Sequence, residues 1–205
     1  MLTEKQLKIF EVLVKKPFAE HTRQQIKKES KEKSNNTLAL VINRLKSEDI
    51  VIEKKIGRSG VLMLNLNNSR TFYYIALCND KRMNKLSRIA IDAIKKEMAE
   101  TPFYTMAIFG SYAINQQKQT SDIDIAIFIE NEENKKKIEA SMNSAKLRIP
   151  IEADIQVIPY AEMTEMLANK EENLGKQIAR KHITVHNHQL FYDIIKEGIN
   201  RGFRA

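Results

Sequence analysis

Two short apolar runs, residues 105–109 and 123–129, constrain this chain more than any other stretch. Both read as buried strands, separated by a Gly-Ser pair and a polar, turn-rich segment. Asp122 and Asp124 fall two apart at the start of the second run, so strand alternation sends both carboxylates to one face and Ile123, Ile125, Ile127 and Ile129 to the other. Like charges that close repel, and a shared divalent cation is the commonest functional reason for building such a pair. Gly110 and Ser111, at the end of the first run, supply what a phosphate needs: backbone that can come close, N–H groups and a hydroxyl. Phosphate donors and metal ligands are therefore expected to face one crevice.

A lone Asp-x-Asp is usually a solvated strand edge and a lone Gly-Ser usually a turn; their combination, in order and on strands, is the stronger signal. Gly110-Ser111, then ten residues from Tyr112 to Ser121, then Asp122-Ile123-Asp124 resembles the signature of the minimal nucleotidyltransferases of the DNA polymerase beta superfamily. Two positions depart from that pattern. Ile114 stands where the family usually has a basic residue, with Lys118 the nearby replacement, and Asn115 stands where it has a glycine; asparagine tolerates left-handed backbone angles. The resemblance implies nucleoside triphosphate binding by Gly110, Ser111 and Ser121. It also implies two magnesium ions on Asp122 and Asp124, with a third carboxylate on a later strand. Asp154, central in the alternating run IEADIQVI, fits that place best, with Glu152 as the second choice. The catalytic and metal-binding set is then Asp122, Asp124 and Asp154.

The chain carries a formal net charge of +8, and the excess is confined to one part. Up to Met83 there are 17 Lys plus Arg against 9 Asp plus Glu, and from Asn84 onward 17 of each. An attached nucleic-acid-binding module would show this asymmetry, although solvated lysine faces produce a basic balance too. With 42% hydrophobic and 29% charged residues the chain is expected to be folded. No apolar run reaches spanning length and MLTEKQLKIF lacks the apolar core of a signal peptide, which makes the cytoplasm the expected location and a membrane partner unexpected. The single cysteine, Cys78, reads as a buried core thiol.

Ahead of the strands, Thr3-x-x-Gln6, Thr22-x-x-Gln25 and Ser34 each open a helical pattern, the third carrying Leu38, Val41, Ile42 and Leu45 on one stripe. Two apolar runs around Gly57-Arg58-Ser59-Gly60 then read as a hairpin. Three helices and a hairpin resemble the winged helix-turn-helix modules of bacterial and archaeal regulators. That resemblance implies double-stranded DNA as partner, with Asn36, Thr37, Asn43 and Arg44 facing bases or phosphates and Lys54, Lys55 and Arg58 facing the backbone. Winged helices also serve as protein-binding or dimerisation modules, which leaves a homodimer open.

A further helix is expected from Ser69, broken at Asn79-Asp80, with Phe72, Tyr73 and Tyr74 packing between domains; another follows at about residues 85–98. After the strands the pattern is helical, with a break around residues 183–188, where His182, His186 and His188 read as an exposed turn rather than a zinc site. The expected architecture is α/β (α+β): a winged helix-turn-helix domain at 1–68, a helical linker at 69–100, and at 101–205 a nucleotidyltransferase domain with a small mixed sheet flanked by helices. The implied activity is transfer of a nucleoside monophosphate from a nucleoside triphosphate, ATP first among them, to a hydroxyl acceptor. Two other classes fit the same residues: a DNA-binding regulator whose second domain senses nucleotide, and an antitoxin-type protein that acts on or masks a protein partner.

Overall fold

A computed structural model describes residues 2–57, 59–118 and 120–204. The chain divides into two compact units, Met1–Cys78 and Asn79–Ala205. Among the described residues no helix is long and apolar enough to cross a membrane.

In the first unit, local capping chemistry starts each of the first helices. Helix α1 (Glu4–Lys15) opens with a reciprocal box in which Thr3 accepts the Gln6 N–H and Gln6 accepts the Thr3 N–H; Thr22 and Gln25 repeat it at α2 (Arg23–Glu29), after the two-residue strand β1 (His21–Thr22). Ser34 caps α3 (Asn35–Ser47) by accepting the Thr37 N–H. Each such cap is worth about 1 kcal/mol. The apolar stripes then meet, burying Leu7, Phe10, Leu13 and Val14 of α1 and Leu38, Val41, Ile42 and Leu45 of α3. Strands β2 (Val51–Ile56) and β3 (Ser59–Leu64) form an antiparallel hairpin with Gly57 at φ +59°, and β1 adds to its other side in the order β1-β3-β2.

Helix α4 (Ser69–Arg82) does not stop at Asn79-Asp80 as expected. Tertiary partners override the poor helix propensity there: the Asn79 amide donates to the Thr184 carbonyl (3.1 Å) and hydroxyl (2.8 Å), and Arg82 donates to the Ala113 carbonyl at 2.8 Å. Nor do the three aromatics behave alike. Phe72 is buried, Tyr74 packs edge-on to Phe10 and donates to Glu48 at 2.8 Å, and Tyr73 is exposed.

The second unit continues with α5 (Lys85–Glu97), β4 (Tyr104–Phe109), the four-residue α6 (Gly110–Ala113) and β5 (Ile123–Ile129). After a 3-10 turn come α7 (Lys135–Lys146), β6 (Ala153–Pro159), α8 (Tyr160–Ala168), α9 (Leu174–Arg180), β7 (Ile183–His186) and α10 (His188–Asn200). Its mixed sheet has the order β6-β5-β4-β7, parallel between β5 and β6 and antiparallel elsewhere. On one face Met106, Ile108, Ile123, Ile125, Ile127, Ile129 and Val157 form a core with Ala90, Ile91 and Ile94 of α5 and Ile138 and Met142 of α7. The other face carries Ala107, Ala126, Phe128 and Ile158, all buried, with Phe128 edge-on to Phe191 of α10. The overall class is thus mixed α/β with small sheets between helices.

The histidine segment departs from the exposed turn that its sequence suggests. It includes edge strand β7, paired to β4, and His182 is 7% exposed, with Nδ1 3.1 Å from the carbonyls of Ile178 and Ala179 and Nε2 3.1 Å from the Tyr192 hydroxyl. Carbonyls only accept, so Nδ1 carries the proton and Tyr192 donates to Nε2. Burial and the charge of Arg82 push the His182 pKa down to about 4, and burial does the same for His188.

Candidate active site

Three strands bring their chemistry to one line. Phe109, the last residue of β4, pairs with Asp124, and Asp124 pairs in parallel register with Asp154 of β6. Asp122 lies two residues before Asp124, just ahead of β5. Alternation puts Asp124 and Asp154 on the Ala126, Phe128 and Ile158 face, where the sheet turns from apolar to acidic at its end. Glu152, the second choice for the third carboxylate, precedes β6, and its backbone carbonyl accepts the Ile123 N–H at 3.0 Å.

Gly110 closes the other side. Its φ is +64°, and a Cβ built on it would stand 2.0 Å from Asp124 Oδ2, so only glycine fits. Ser111 follows at the start of α6. Asn115 takes φ +55°, the left-handed angle that its substitution for glycine required. The turn is then tied by the Gln116 N–H donating to the Ser111 carbonyl (3.0 Å) and the Lys118 N–H donating to the Ser121 hydroxyl (2.9 Å). Ser121 therefore braces the loop in this state.

Asp124 is half-buried, and its carboxyl is pushed above the usual carboxylate range by burial first, then by Asp154 and Asp122. Asp122 and Asp154 are exposed, and Asp154 accepts the Gln156 amide at 2.9 and 3.0 Å. Among the described residues no three His, Cys, Asp or Glu side chains are already gathered to hold a metal ion. The chemistry of the donor set nonetheless fits one: Asp124 feels the like charges of Asp154 and Asp122, and the exposed Asp154 carboxylate is engaged by the Gln156 amide.

Two clefts open from these carboxylates. One, about 740 Å³, is lined by Asp122, Asp154, Glu152, Lys146 and the apolar segment 149–151. The other, about 420 Å³, is lined by Gly110, Asp124, Ile114, Gln177, Arg180 and Lys181. Sequence reasoning missed the α9 contribution, because nothing local to Gln177, Arg180 or Lys181 signals what they will face. In the first unit, Asn36, Asn43 and Lys55 are exposed and Thr37 is half-buried. Lys54 lies 3.8 Å from Glu20, and Arg58 lies outside the described residues. Arg44 donates to Glu48 at 3.0 Å and to Gln6 at 3.1 Å, which engages it between α1 and α3.

Residues 92–184 match the family model Polymerase beta, Nucleotidyltransferase. The second unit thus carries a nucleotidyltransferase-type domain, and the matched span runs from α5 through the Gly110-Ser111 turn, all three carboxylates and into β7. No curated protein matches the chain. A solved structure of a toxin-antitoxin with AMP-PNP is similar at 18% identity with a TM-score of 0.36, over 54% of this chain and 82% of that chain.

Proposed function

We propose that the protein is a metal-dependent nucleotidyltransferase that moves a nucleoside monophosphate from a nucleoside triphosphate, ATP as first choice, to a hydroxyl acceptor. The observation that carries this reading is the register of Asp124 against Asp154, with Gly110 pressed against the Asp124 carboxylate inside the span matched to the nucleotidyltransferase family. Magnesium held by Asp122, Asp124 and Asp154 would supply charge neutralisation for the triphosphate. Asp154, on the side of the larger cleft, takes the proton of the acceptor hydroxyl. The hydroxyl oxygen bonds to the α-phosphorus, the bond from that phosphorus to the bridging oxygen breaks, and pyrophosphate leaves with the electron pair. Gly110 and Ser111 hold the outer phosphates until then.

The first unit is read as a winged helix that binds double-stranded DNA. Three helices followed by a hairpin, the basic excess up to Met83, and exposed Asn36 and Asn43 on α3 support it. Thr37, Lys54, Lys55 and Arg58 belong to the same reading, whereas Arg44 would have to release Gln6 and Glu48 before reaching a phosphate. A second reading, a regulator that senses nucleotide without transferring it, is favoured by Ile114, which puts an apolar side chain in the smaller cleft.

The separating experiment compares the carboxylates. Asp154→Asn is expected to keep magnesium-ATP binding and lose transfer of labelled AMP to any lysate acceptor, including the protein itself. Asp122→Asn and Asp124→Asn are expected to lose both. Wild type that binds magnesium-ATP but releases no pyrophosphate and labels nothing would defeat the enzymatic reading in favour of the sensor.

A further inference from the structure

Strand alternation places Gln156 on the same face of β6 as Asp154, two residues further into the strand. The parallel register sets Asp154 beside Asp124 and Gln156 beside Ala126, whose methyl group offers no hydrogen-bond partner. The Gln156 amide turns back along its own strand instead, and its Nε2 donates to both oxygens of Asp154, at 2.9 and 3.0 Å. Carboxylate oxygens only accept, so the amide nitrogen and not the amide oxygen faces them. We infer that Gln156 is a positioning residue that makes Asp154 a one-oxygen ligand and so selects magnesium over calcium at the carboxylates; this rests on the metal-dependent nucleotidyltransferase reading.

The near-equal distances put the amide nitrogen between the two carboxylate oxygens, which is where a cation held by both at once would have to sit. While the amide stays there, each oxygen keeps only its outward lone pairs for a metal. The two cations respond differently to that restriction. Magnesium needs octahedral ligands at about 2.0–2.1 Å, and the two oxygens of one carboxylate lie too close together to fill two of its corners. Calcium, with roughly six to eight oxygen ligands at about 2.3–2.6 Å, accepts both. Denying the two-oxygen position therefore disfavours calcium and leaves magnesium served. A neutral amide does this without cancelling charge. Lysine or arginine at the same place would neutralise Asp154 and repel the incoming ion, whereas glutamine directs the carboxylate and leaves its charge for the metal. Asp154 is exposed and Gln156 half-buried, so the amide is the anchored partner and the carboxylate the one it orients.

The test follows the melting temperature of the full, nucleotide-free chain as magnesium or calcium is added, each titration read as a half-saturating concentration. Gln156→Leu roughly keeps the size of the side chain and removes the donor. It is expected to shift the preference between the two cations about tenfold toward calcium, the size of effect carried by a group hydrogen-bonded to a metal ligand. Its melting temperature in EDTA should match wild type, because an exposed hydrogen bond between neighbours on one strand adds little to stability. Gln156→Glu, which replaces the donor with a further oxygen ligand, should shift the preference at least as far. In an Asp154→Asn background Gln156→Leu should leave the preference unchanged, since the effect passes through Asp154; a merely structural role would give the same change in both backgrounds. If Gln156→Leu and Gln156→Glu keep the wild-type preference, or weaken both cations equally, the assignment to Gln156 is overturned while the nucleotidyltransferase reading stands. If neither cation raises the wild-type melting temperature, the metal-dependent reading is overturned with it.

Discussion

Gly110→Ala tests whether the glycine and the carboxylate are one mechanical unit. The substitution meets two separate costs. At φ +64° an L side chain sits in the left-handed region, which costs about 1–2 kcal/mol. The new Cβ would also lie 2.0 Å from Asp124 Oδ2 and 2.9 Å from its Cγ, forcing that side chain off its rotamer for about 0.5–1.5 kcal/mol more. The sum is about 2–3 kcal/mol, which for a domain of this size lowers the melting temperature by roughly 6–15 °C. A double-mutant cycle divides the two costs. Asp124→Ala removes Oδ2 and Cγ and leaves only the Cβ, 3.4 Å from the added methyl, an ordinary contact. In that background Gly110→Ala should cost only the backbone part, so the coupling is about 1 kcal/mol. Urea denaturation followed by circular dichroism and tyrosine fluorescence measures all four corners. Equal cost of Gly110→Ala in both backgrounds would refute the contact, and a cost below about 0.5 kcal/mol in wild type would refute the backbone argument as well.

Two further outcomes are expected. The pKa of His182 is depressed in the folded state to about 4, so its contribution is fully present above the unfolded value near 6.5, falls as pH drops between the two, and amounts to about 3 kcal/mol over that window. Denaturation midpoints measured from pH 7.5 to 4.5 should show that fall, and His182→Gln should be less stable at pH 7.5 with a shallower pH dependence; an unchanged slope would remove His182 as the cause. For the first unit, DNA affinity should fall steeply with salt, and Lys55→Ala should reduce that slope by about one. Arg44→Ala should instead lower stability through its lost links to Gln6 and Glu48, so salt-independent DNA binding, or an Arg44→Ala protein as stable as wild type, would count against the respective argument.

What could be read from the sequence was what is local in space as well as along the chain. Thr3 with Gln6, Thr22 with Gln25, and Ser34 act within one helical turn, and their caps form as the spacing suggests. Strand β5 keeps its expected bounds because its apolar residues are contiguous and flanked by turn formers. Asn115 was legible for the same reason: its left-handed angle is a property of one residue. The departures all involve partners distant in sequence. Asn79 looks like a helix breaker until Thr184 accepts its amide, and His182 looks exposed until Tyr192 and two carbonyls enclose it. That Lys181 would line a cleft with Gly110 and Asp124 was illegible on the same grounds, since those two lie on other elements far back in the chain. Alternation could place Asp154 on a polar face, but it could not say which residue of β5 it would stand beside. That follows from the parallel register, which the α7 crossover and the apolar faces of β5 and β6 set together.

The same register explains how the strand tolerates its own carboxylate. Asp124 has a raised pKa in the folded state, so by the sign of the linkage its ionised form opposes folding as pH rises through that value, and neutral pH is on the unfavourable side. Burial and two like charges all act in that direction. Against them stand Ile123, Ile125, Ile127, Phe128 and Ile129, each 2% exposed or less. At about 1.5–3 kcal/mol apiece they contribute on the order of 10 kcal/mol, an upper figure and the dominant local driving force for placing the strand. The apolar residues therefore decide where β5 lies, and Asp124 is carried into a position it would not choose alone. A cation entering beside it would relieve the two like charges without moving the strand. Under the metal-dependent reading proposed above, magnesium should therefore raise the melting temperature, and Asp124→Asn should remove that gain.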